Sequence, residues 1–369
     1  MGNLLVVYHI LFRQYCHEED IDVPVKLSVL VITLTAARCS ESGSHIFLQS
    51  KVNEIFCSGS FELNMSGLAL ALQLFAIYIT QQVYHAAGST VNRKFLHSAT
   101  SAVACADVYI VPMFNINYGF IMVDRKTKKA ALIDPGDPLP VIQAAIDLKV
   151  DVKLALVTHR HGDHSGGNKV VKEKLPDINI IGTGYEKVNH ITHRVIEGDS
   201  IFLGSLKIDV IHTPCHTKGH VVYLVSSNDP NADTKTSAPI LFSGDTLFVG
   251  GCGHFFEGTA SEMLTNMDRL GDLPAETQVY CGHEFTMENL QFLSTIDTDS
   301  KSTSQMLEEV MKKRIDGVPT VPTTIGRELE YNLFMKCREK RTLTLTKRDT
   351  PIETMARLRE LNNQFRSVA

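Results

Sequence analysis

The chain has 369 residues, of which 44% are hydrophobic and 21% are charged, as in an ordinary soluble globular protein with two or three domains. Its formal net charge of −5 gives no reason to expect a nucleic-acid partner. Its eight cysteines show neither a CxxC pair nor a regular spacing, so they do not indicate a disulfide framework. Three of them lie beside candidate functional residues, which favours a reducing compartment.

Residues 1–105 contain short apolar runs and no group of side chains that could carry chemistry. None of these runs reaches the ~18–20 apolar residues that a spanning helix needs, so we expect no stable membrane span. Between residues 65 and 106 there is no acidic side chain, whereas basic and hydroxyl side chains are present. That composition resembles a mitochondrial transit peptide beginning at the internal Met65. Two interpretations remain for this region, a partial transit peptide or an unstructured N-terminal extension.

From residue 107 the sequence pattern becomes regular. Apolar runs bounded by turn residues predict strands, and helical periodicity predicts helices. The predicted strands are 108–111, 118–123, 130–133, 154–157, 178–181, 201–203, 206–211, 221–225, 241–244 and 279–281. The predicted helices are 141–148, 169–174, 304–314 and 354–365. An Asp-Pro-Gly turn follows the third strand.

The strand at 154–157 leads into the sequence Thr-His-Arg-His-Gly-Asp-His. Imidazoles and a carboxylate this close together are the ligands that zinc, iron and manganese accept. His159 and His161 are two residues apart in extended chain, so both rings can point to one side. Asp163 and His164 fall where small residues allow a turn into a helix. Two facing pairs of ligands suit two metals better than one, and the alternative is a histidine-rich surface loop.

Three further ligand candidates follow downstream, each just after a strand. His216 lies in the middle of a rigid loop, and we interpret its neighbours His212 and His220 as supporting or structural residues. Asp245 ends an apolar strand and can bridge two metals, although an aspartate in a turn can also cap a helix. His283 follows another strand. Four motifs in order, each at the carboxyl end of a strand, predict a metal centre.

Three cysteines lie beside these candidate ligands. They could bind metal, or they could be small buried apolar side chains. We favour the second interpretation for Cys215, Cys252 and Cys281.

The motifs HxHxDH, TPCHTKGH, SGDTLF and YCGHE, in this order, resemble the metallo-β-lactamase superfamily. Within it, GDTLFVGGCG, FEGTA and VYCGHE resemble the glyoxalase II (hydroxyacylglutathione hydrolase) family. The similarity runs from about residue 107 to residue 365 and includes VPTVPTT at 318–324. The resemblance implies an α/β fold, with an αββα sandwich at 106–286 followed by a small C-terminal α-helical domain at 287–369. Amphipathic spacing in the last two predicted helices also indicates that domain.

The resemblance implies two divalent metal ions per chain, with zinc as the first candidate and iron or manganese as alternatives. It implies hydrolysis of S-D-lactoylglutathione to glutathione and D-lactate by a metal-bridging hydroxide, a step of methylglyoxal detoxification. Asp163 and Asp245 would be the catalytic carboxylates. The implied ligands are His159, His161 and His216 at one metal, Asp163, His164 and His283 at the other, and Asp245 between them.

The part of the sequence that would bind glutathione departs from the family pattern. His254 stands where the family has lysine, and phenylalanine stands at two tyrosine positions. A C-terminal arginine is kept, but the lysine three residues later is replaced by asparagine, and Gly162 replaces the usual tryptophan. We expect weakened or altered glutathione binding. The candidate substrate-binding residues are His254, Phe256, Phe285, Arg359, Asn362 and Lys218.

Two other functions are open. A mononuclear iron persulfide dioxygenase would share the HxHxDH ancestry, but the C-terminal motifs argue against it. A catalytically weak regulatory paralogue of the same fold would fit the altered pocket, but the complete ligand set argues against it. We expect a glutathione thioester as substrate, a monomer, and a location in the cytoplasm, the mitochondrial matrix or both.

Overall fold

The computed structural model describes residues 4–11, 29–38, 46–54, 97–98, 104–229, 231 and 237–368. The chain divides into two units, Met1–Ile79 and Thr80–Ala369. In the first unit, β1 (Leu4–Leu11), β2 (Val29–Arg38) and β3 (Ile46–Glu54) form an antiparallel sheet in that order. The stretch that resembles a transit peptide, residues 65–106, lies almost entirely outside the described residues.

A seven-stranded sheet forms the first layer of the second unit. Its strands are β4 (His97–Ser98), β5 (Asp107–Met113), β6 (Asn117–Val123), β7 (Lys129–Ile133), β8 (Asp151–Val157), β9 (Asn179–Thr183) and β10 (His193–Val195). Their spatial order is β10-β9-β8-β7-β6-β5-β4. The strands β7, β8 and β9 run parallel, because helices connect them. Those helices are α1 (Pro138–Asp147), α2 (Gly162–Ser165) and α3 (Asn168–Lys174).

A six-stranded sheet forms the second layer. The strands that follow in the chain are β11 (Ser200–Leu203), β12 (Leu206–His212), β13 (Val221–Ser227), β14 (Ile240–Gly244), β15 (Leu247–Phe248), β16 (Gly251–Cys252), β17 (Gln278–Cys281) and β18 (Thr323–Thr324). The sheet order is β11-β12-β13-β14-β17-β18, while β15 and β16 form a separate hairpin. The helix α4 (Ala260–Gly271) connects β14 and β17, which run parallel.

Side chains from the facing surfaces of the two sheets form the central core. Phe120 on β6 contacts Phe242 on β14 and Tyr280 on β17, with ring centroids 5.6 and 5.5 Å apart. A second cluster covers the other face of the first sheet, where Ile121 of β6 and Val141 of α1 are fully buried together. Alternate residues of β6 therefore enter different cores. The layers follow in the order helix, sheet, sheet, helix, which confirms the predicted αββα sandwich.

Helices dominate the chain after β17. They are α5 (Thr286–Ile296), α6 (Lys301–Ile315), α7 (Ile325–Tyr331), a 3₁₀ helix (Leu333–Lys336), α8 (Lys340–Thr346) and α9 (Pro351–Val368). Met306 of α6 and Leu358 of α9 are buried in the same hydrophobic cluster as the facing sheets, so this helical region packs directly on the sandwich. The C-terminal helices predicted from amphipathic spacing are confirmed. Within the described residues, no helix combines the length and apolar character needed to cross a membrane.

Contacts N-terminal of the predicted domain boundary at residue 106 suggest a comparison of two truncations. His97 pairs with Ile110 of β5, and the N–H of Cys105 donates to Ala238 O over 3.1 Å. Removal of residues 1–79 would leave both of these contacts in place. Removal of residues 1–105 should lower the Tm by several degrees, since a loss of ~1 kcal/mol shifts it by roughly 2–4 °C. Differential scanning calorimetry distinguishes the truncations, and equal Tm values would show that this edge adds nothing.

Candidate metal centre

The candidate ligands of both sheets lie at one edge of the sandwich, where their strands end. His159, His161, Asp163 and His164 follow β8 in the first sheet. The loop between β12 and β13, the end of β14 and the end of β17 supply the others from the second sheet. The parallel pairing of β14 with β17 brings their carboxyl ends together, because both strands run towards the same edge. Residues far apart in sequence therefore meet in one site.

Three histidines form the first group of potential ligands. His161 Nδ1 lies 2.9 Å from His159 Nε2 and 3.0 Å from His216 Nε2. His159 is fully buried and His216 nearly so, whereas His161 is partly exposed. The three ring nitrogens point to a common centre that could hold a metal ion.

A second group consists of one carboxylate and two histidines. His164 Nε2 lies 3.2 Å from His283 Nε2. Asp163 Oδ2 lies 3.4 Å from His283 Nε2 and 3.6 Å from His164 Nε2. This group could also hold a metal ion, and its mixed nitrogen and oxygen donors suit zinc, iron or manganese.

Asp245 lies between the two groups. Its Oδ2 is 3.3 Å from His216 Nε2 and 3.2 Å from His283 Nε2, and its Oδ1 is 3.4 Å from His164 Nε2. Although Oδ1 is buried, it has no hydrogen-bond partner among the described residues. A buried carboxylate oxygen without a donor is costly unless a cation supplies the missing contact. Two ligands of one tetrahedral zinc lie about 3.3 Å apart, so these separations fit metal binding.

Polar side chains outside the two groups orient several ligands. The Asp134 carboxylate accepts hydrogen bonds from the N–H and the hydroxyl of Thr158, each over 2.7 Å, and lies 2.9 Å from His164 Nδ1. Asn117 Nδ2 donates to Asp163 Oδ2 over 2.8 Å. From the sequence, Asp134 could be recognised only as the first residue of the Asp-Pro-Gly turn. The signal that could have identified it is its place at the end of β7, beside the strand that carries the histidine-rich loop.

The Asp134→Asn substitution should weaken metal binding by ~10–100-fold. The amide keeps the size of the side chain but replaces one acceptor oxygen by a donor, so His164 loses a partner that fixes its ring. Competition with a chelator measures the metal affinity. Asp147→Asn, at an exposed carboxylate of α1, is the matched control. Equal affinities for the two variants would remove Asp134 from the support of the site.

His220 supports the centre without joining either group. It is fully buried, and its Nε2 accepts a hydrogen bond from the N–H of Asp245 over 3.0 Å. His212, in contrast, stacks on Tyr185 with ring centroids 3.9 Å apart, at the surface. Both histidines thus make the supporting or structural contacts that the sequence predicted for them.

The electrostatic environment differs between the imidazoles of the site. Burial, followed by repulsion from His164, lowers the pKa of His159 well below its ordinary value. Burial also lowers the pKa of His216 to about 4. Burial acts in the same direction on His164, but Asp245 and Asp134 outweigh it and raise the pKa of that imidazole well above its ordinary value. A metal ion at the second group would therefore compete with a proton on His164.

Gly282 occupies a position where no larger residue fits. A Cβ atom there would lie 2.6 Å from Asp245 Oδ1 and 2.6 Å from His164 Cε1. Any side chain would therefore push apart two potential ligands. Gly282 was not identified from the sequence, although its position next to His283 is a signal that could have identified it.

Three cysteines flank the site and none belongs to a potential ligand group. Cys215, Cys252 and Cys281 are all buried. Burial raises the pKa of the Cys252 thiol to about 11 and that of Cys281 to about 12, and it raises the pKa of Cys215 further. These residues therefore act as the small buried side chains that the sequence predicted.

Four of the six candidate substrate residues lie around the mouth of the site or close to it. Phe256 is 62% exposed, and its ring centroid is 5.2 Å from His216 and 4.5 Å from the exposed His254. Phe285 stacks on the metal-group residue His283, with centroids 4.9 Å apart. The Lys218 side chain is exposed two residues beyond His216.

The other two candidates are buried in α9. Arg359 is 7% exposed, and its Nη1 donates to Cys252 O over 3.0 Å. Its Nη2 donates to the side-chain oxygen of Asn362, which is 1% exposed. The neighbouring Arg366, not identified from the sequence, lies over the ring of Phe285 at 4.3 Å. The structure thus places a second guanidinium closer to the aromatic side of the site.

Two known families match consecutive parts of this chain. Residues 114–283 match the metallo-beta-lactamase superfamily, and residues 284–365 match the family described as hydroxyacylglutathione hydrolase C-terminus. The boundary between the matches falls between His283 and Glu284, where the sandwich gives way to the helical region.

Curated relatives match nearly their whole length. The chain is 40% identical over 261 residues to a protein of Arabidopsis thaliana named hydroxyacylglutathione hydrolase cytoplasmic, covering 70% of this chain and 99% of the relative. It is 35% identical to a hydroxyacylglutathione hydrolase-like protein of Gallus gallus, covering 70% of this chain and 90% of the relative. It is 34% identical to a hydroxyacylglutathione hydrolase of Acaryochloris marina, covering 70% of this chain and 99% of the relative.

Proposed function

Because this chain belongs to the hydroxyacylglutathione hydrolase family and is a metal-dependent hydrolase, we propose that it hydrolyses S-D-lactoylglutathione to glutathione and D-lactate. The observation that carries the proposal is the convergence of the other three ligand-bearing segments on the buried carboxylate of Asp245. This reaction consumes the thioester formed from methylglyoxal and thus serves detoxification. The chain's own residues suit such a reaction.

We propose that the two groups hold two divalent metal ions, zinc being the first candidate and iron or manganese the alternatives. His159, His161 and His216 would hold one ion, and Asp163, His164 and His283 the other. When bound, such ions lower the pKa of water and polarise a carbonyl oxygen. Asp245 would contact both ions, because its two oxygens face histidines of both groups.

Beyond the metal ions, the reaction requires few functional groups from the protein. Hydrolysis forms a bond from a water oxygen to the thioester carbon and breaks the carbon–sulfur bond. The sulfur leaves as a thiolate, so no strong general acid is needed. Asp163 and Asp245 are the carboxylates available to orient the water. A hydrogen bond from Asn117 holds the Asp163 carboxylate in place. The proton released from water neutralises the departing thiolate or passes to solvent.

We propose that the substrate's glutathione part lies against Phe256, Phe285, His254 and Lys218. Two aromatic rings next to metal-group histidines offer apolar contact, whereas tyrosines would also offer hydroxyl groups. Arg359 and Asn362 are candidates from the family pattern, and their burial means that they act on substrate chiefly through the backbone that they hold. A Cβ at Gly162 would meet no atom of the described residues within 4 Å, so a larger side chain would fit there.

His254→Lys should lower the KM for S-D-lactoylglutathione at pH 8. Burial, and then Arg359 and Arg366, lower the pKa of His254, so its imidazole is neutral at that pH. A lysine would supply a positive charge for a substrate carboxylate. An exposed ion pair contributes ~0–1 kcal/mol, so the expected fall in KM is about two- to five-fold. His193→Lys, at an exposed histidine of β10, is the control. An unchanged KM in both variants would place His254 outside the substrate site.

A thioesterase assay on the purified full-length chain, combined with metal analysis, tests the proposed function. Hydrolysis of S-D-lactoylglutathione with about two metal ions per chain is the expected result. A single iron and oxidation of a glutathione persulfide would instead identify a persulfide dioxygenase. Intact folded protein with little metal and no thioesterase activity would identify a regulatory paralogue. We also propose a monomer in the cytoplasm or the mitochondrial matrix, which gel filtration and cell fractionation test.

A further inference from the structure

We propose that Glu328, Asn332 and Asn289 of the helical region are positioning residues for the metal centre. They hold the backbone of residues 248–252, which we call the strap loop, and through it they position Asp245 and His216. The inference rests on the proposed function in so far as those two residues bind metal. It adds a role for the helical region that is separate from substrate binding.

Each of the three side chains forms a hydrogen bond with a different backbone group of the strap loop. Asn289 Nδ2 donates to Val249 O over 3.0 Å. The N–H of Gly250 donates to Glu328 Oε2 over 2.9 Å, and Asn332 Nδ2 donates to Gly251 O over 3.1 Å. Three consecutive residues are thus held by side chains from α5, from α7 and from the residue after α7. A loop held this closely has little freedom to shift.

The strap loop lies between two residues that touch the metal centre. Asp245 comes before it, and His254, whose carbonyl oxygen lies 3.1 Å from His216 Nδ1, comes after it. A Cβ at Gly253 would lie only 1.8 Å from Asp245 O, so the two ends of the segment pack directly on each other. When His216 Nδ1 donates to that carbonyl, its Nε2 is left free to face the metal group. A shift of the strap loop would therefore move the potential ligand Asp245 together with the carbonyl of His254, which is the hydrogen-bond partner of His216.

Glu328 is the residue whose chemistry points to this role. Its side chain is 0% exposed, and burial raises the pKa of its carboxyl above the ordinary value. Its described hydrogen bonds come from neutral donors, namely the Gly250 N–H, the Asn332 amide and the Tyr331 hydroxyl. A buried carboxylate is costly unless hydrogen-bond donors surround it, and an apolar side chain here would leave those donors unpaired. The carboxylate supplies acceptor oxygens for three converging donors.

Glu328→Leu in the full-length chain tests the proposal, because leucine is of similar size but accepts no hydrogen bond, so the three donors lose their partner. Thr346→Val is the matched control, since Thr346 is a buried polar residue of α8 whose hydrogen bonds stay within the helical region. The first measurement is amide hydrogen exchange of residues 246–254 in metal-free protein. The second is the rate of metal loss to a chelator, and the third is kcat and KM separately.

We expect Glu328→Leu to speed exchange in 246–254 and metal loss by ~10–100-fold, and to lower kcat with KM unchanged within about two-fold. Thr346→Val should change none of these. Equal exchange and equal metal loss in the two variants would overturn the inference. Asn289→Ala serves if Glu328→Leu does not fold, and it should speed exchange in the same segment. A wild-type chain without metal or activity would refute the proposed function, whereas exchange in metal-free protein would still test the strap loop.

Discussion

Asp245→Asn should reduce turnover of S-D-lactoylglutathione by at least about a hundredfold. Asp245 is the only potential ligand whose oxygens lie within 3.4 Å of histidines in both described metal groups. Asparagine has the same size but carries no charge and only one acceptor oxygen, so one group loses its shared ligand. Because the site would no longer hold two cations at a fixed spacing, kcat should fall far more than KM rises. Steady-state kinetics and metal analysis of the purified variant measure both effects.

The control for Asp245→Asn is Asp268→Asn, which removes a carboxylate on α4 that pairs with Arg338 at the surface. A surface ion pair contributes little, so its removal should leave turnover within about two-fold of wild type. An Asp245→Asn variant with full metal content and near-normal kcat would contradict the assignment of a shared ligand.

His216→Ala should also lower turnover by at least about a hundredfold, with loss of metal from the first group. Its Nε2 lies 3.0 Å from His161 Nδ1 and 3.3 Å from Asp245 Oδ2, so alanine removes a donor from the middle of the site. The second group keeps all its members, and metal analysis should therefore show about half of the wild-type content.

His212→Ala is the control, because it removes another histidine of the same loop. That ring stacks on Tyr185 and lies 2.9 Å from Lys218 O, outside both metal groups. We expect the His212 variant to keep its metal and most of its turnover. Equal losses in the two histidine variants would mean that loop integrity, and not ligation by His216, governs the activity.

The potential ligands could be predicted from the sequence because metal binding concentrates unusual residues at strand ends. His159 and His161 are two positions apart in extended chain, so their common orientation follows from local geometry. The meeting of Asp245 with His283 depends on the parallel pairing of β14 and β17. Local pattern does not reveal that pairing, and it entered through the family resemblance.

The residues that orient the ligands could not be predicted in the same way. Asp134 and His164 are thirty positions apart, and Asn117 reaches Asp163 across forty-six. Single aspartates and asparagines in turns are ordinary features of loops, so nothing in the sequence distinguishes these from many others. Their role becomes visible only when strand order brings β6, β7 and β8 side by side.

For the C-terminal helix α9, the residue pattern predicts which residues share a face but does not predict whether that face is buried. The spacing of Arg359 and Asn362 places both on one face of a helix, as the resemblance requires. Which face turns inward depends on the packing of α9 against α4 and α5, which the pattern does not contain. In the structure that face is buried, and Arg359 donates to the backbone of Cys252.

The buried cysteines have a consequence for an enzyme that releases a thiol. Mixed disulfides form when a thiolate attacks a disulfide, so the rate depends on the thiolate fraction and on access. Cys215, beside the proposed ligand His216, is 0% exposed, and burial strongly favours its protonated form. Oxidised glutathione in the surrounding solution would therefore find no reactive sulfur among the three cysteines that flank the centre. Resistance to S-glutathionylation is thus built into the packing of these residues.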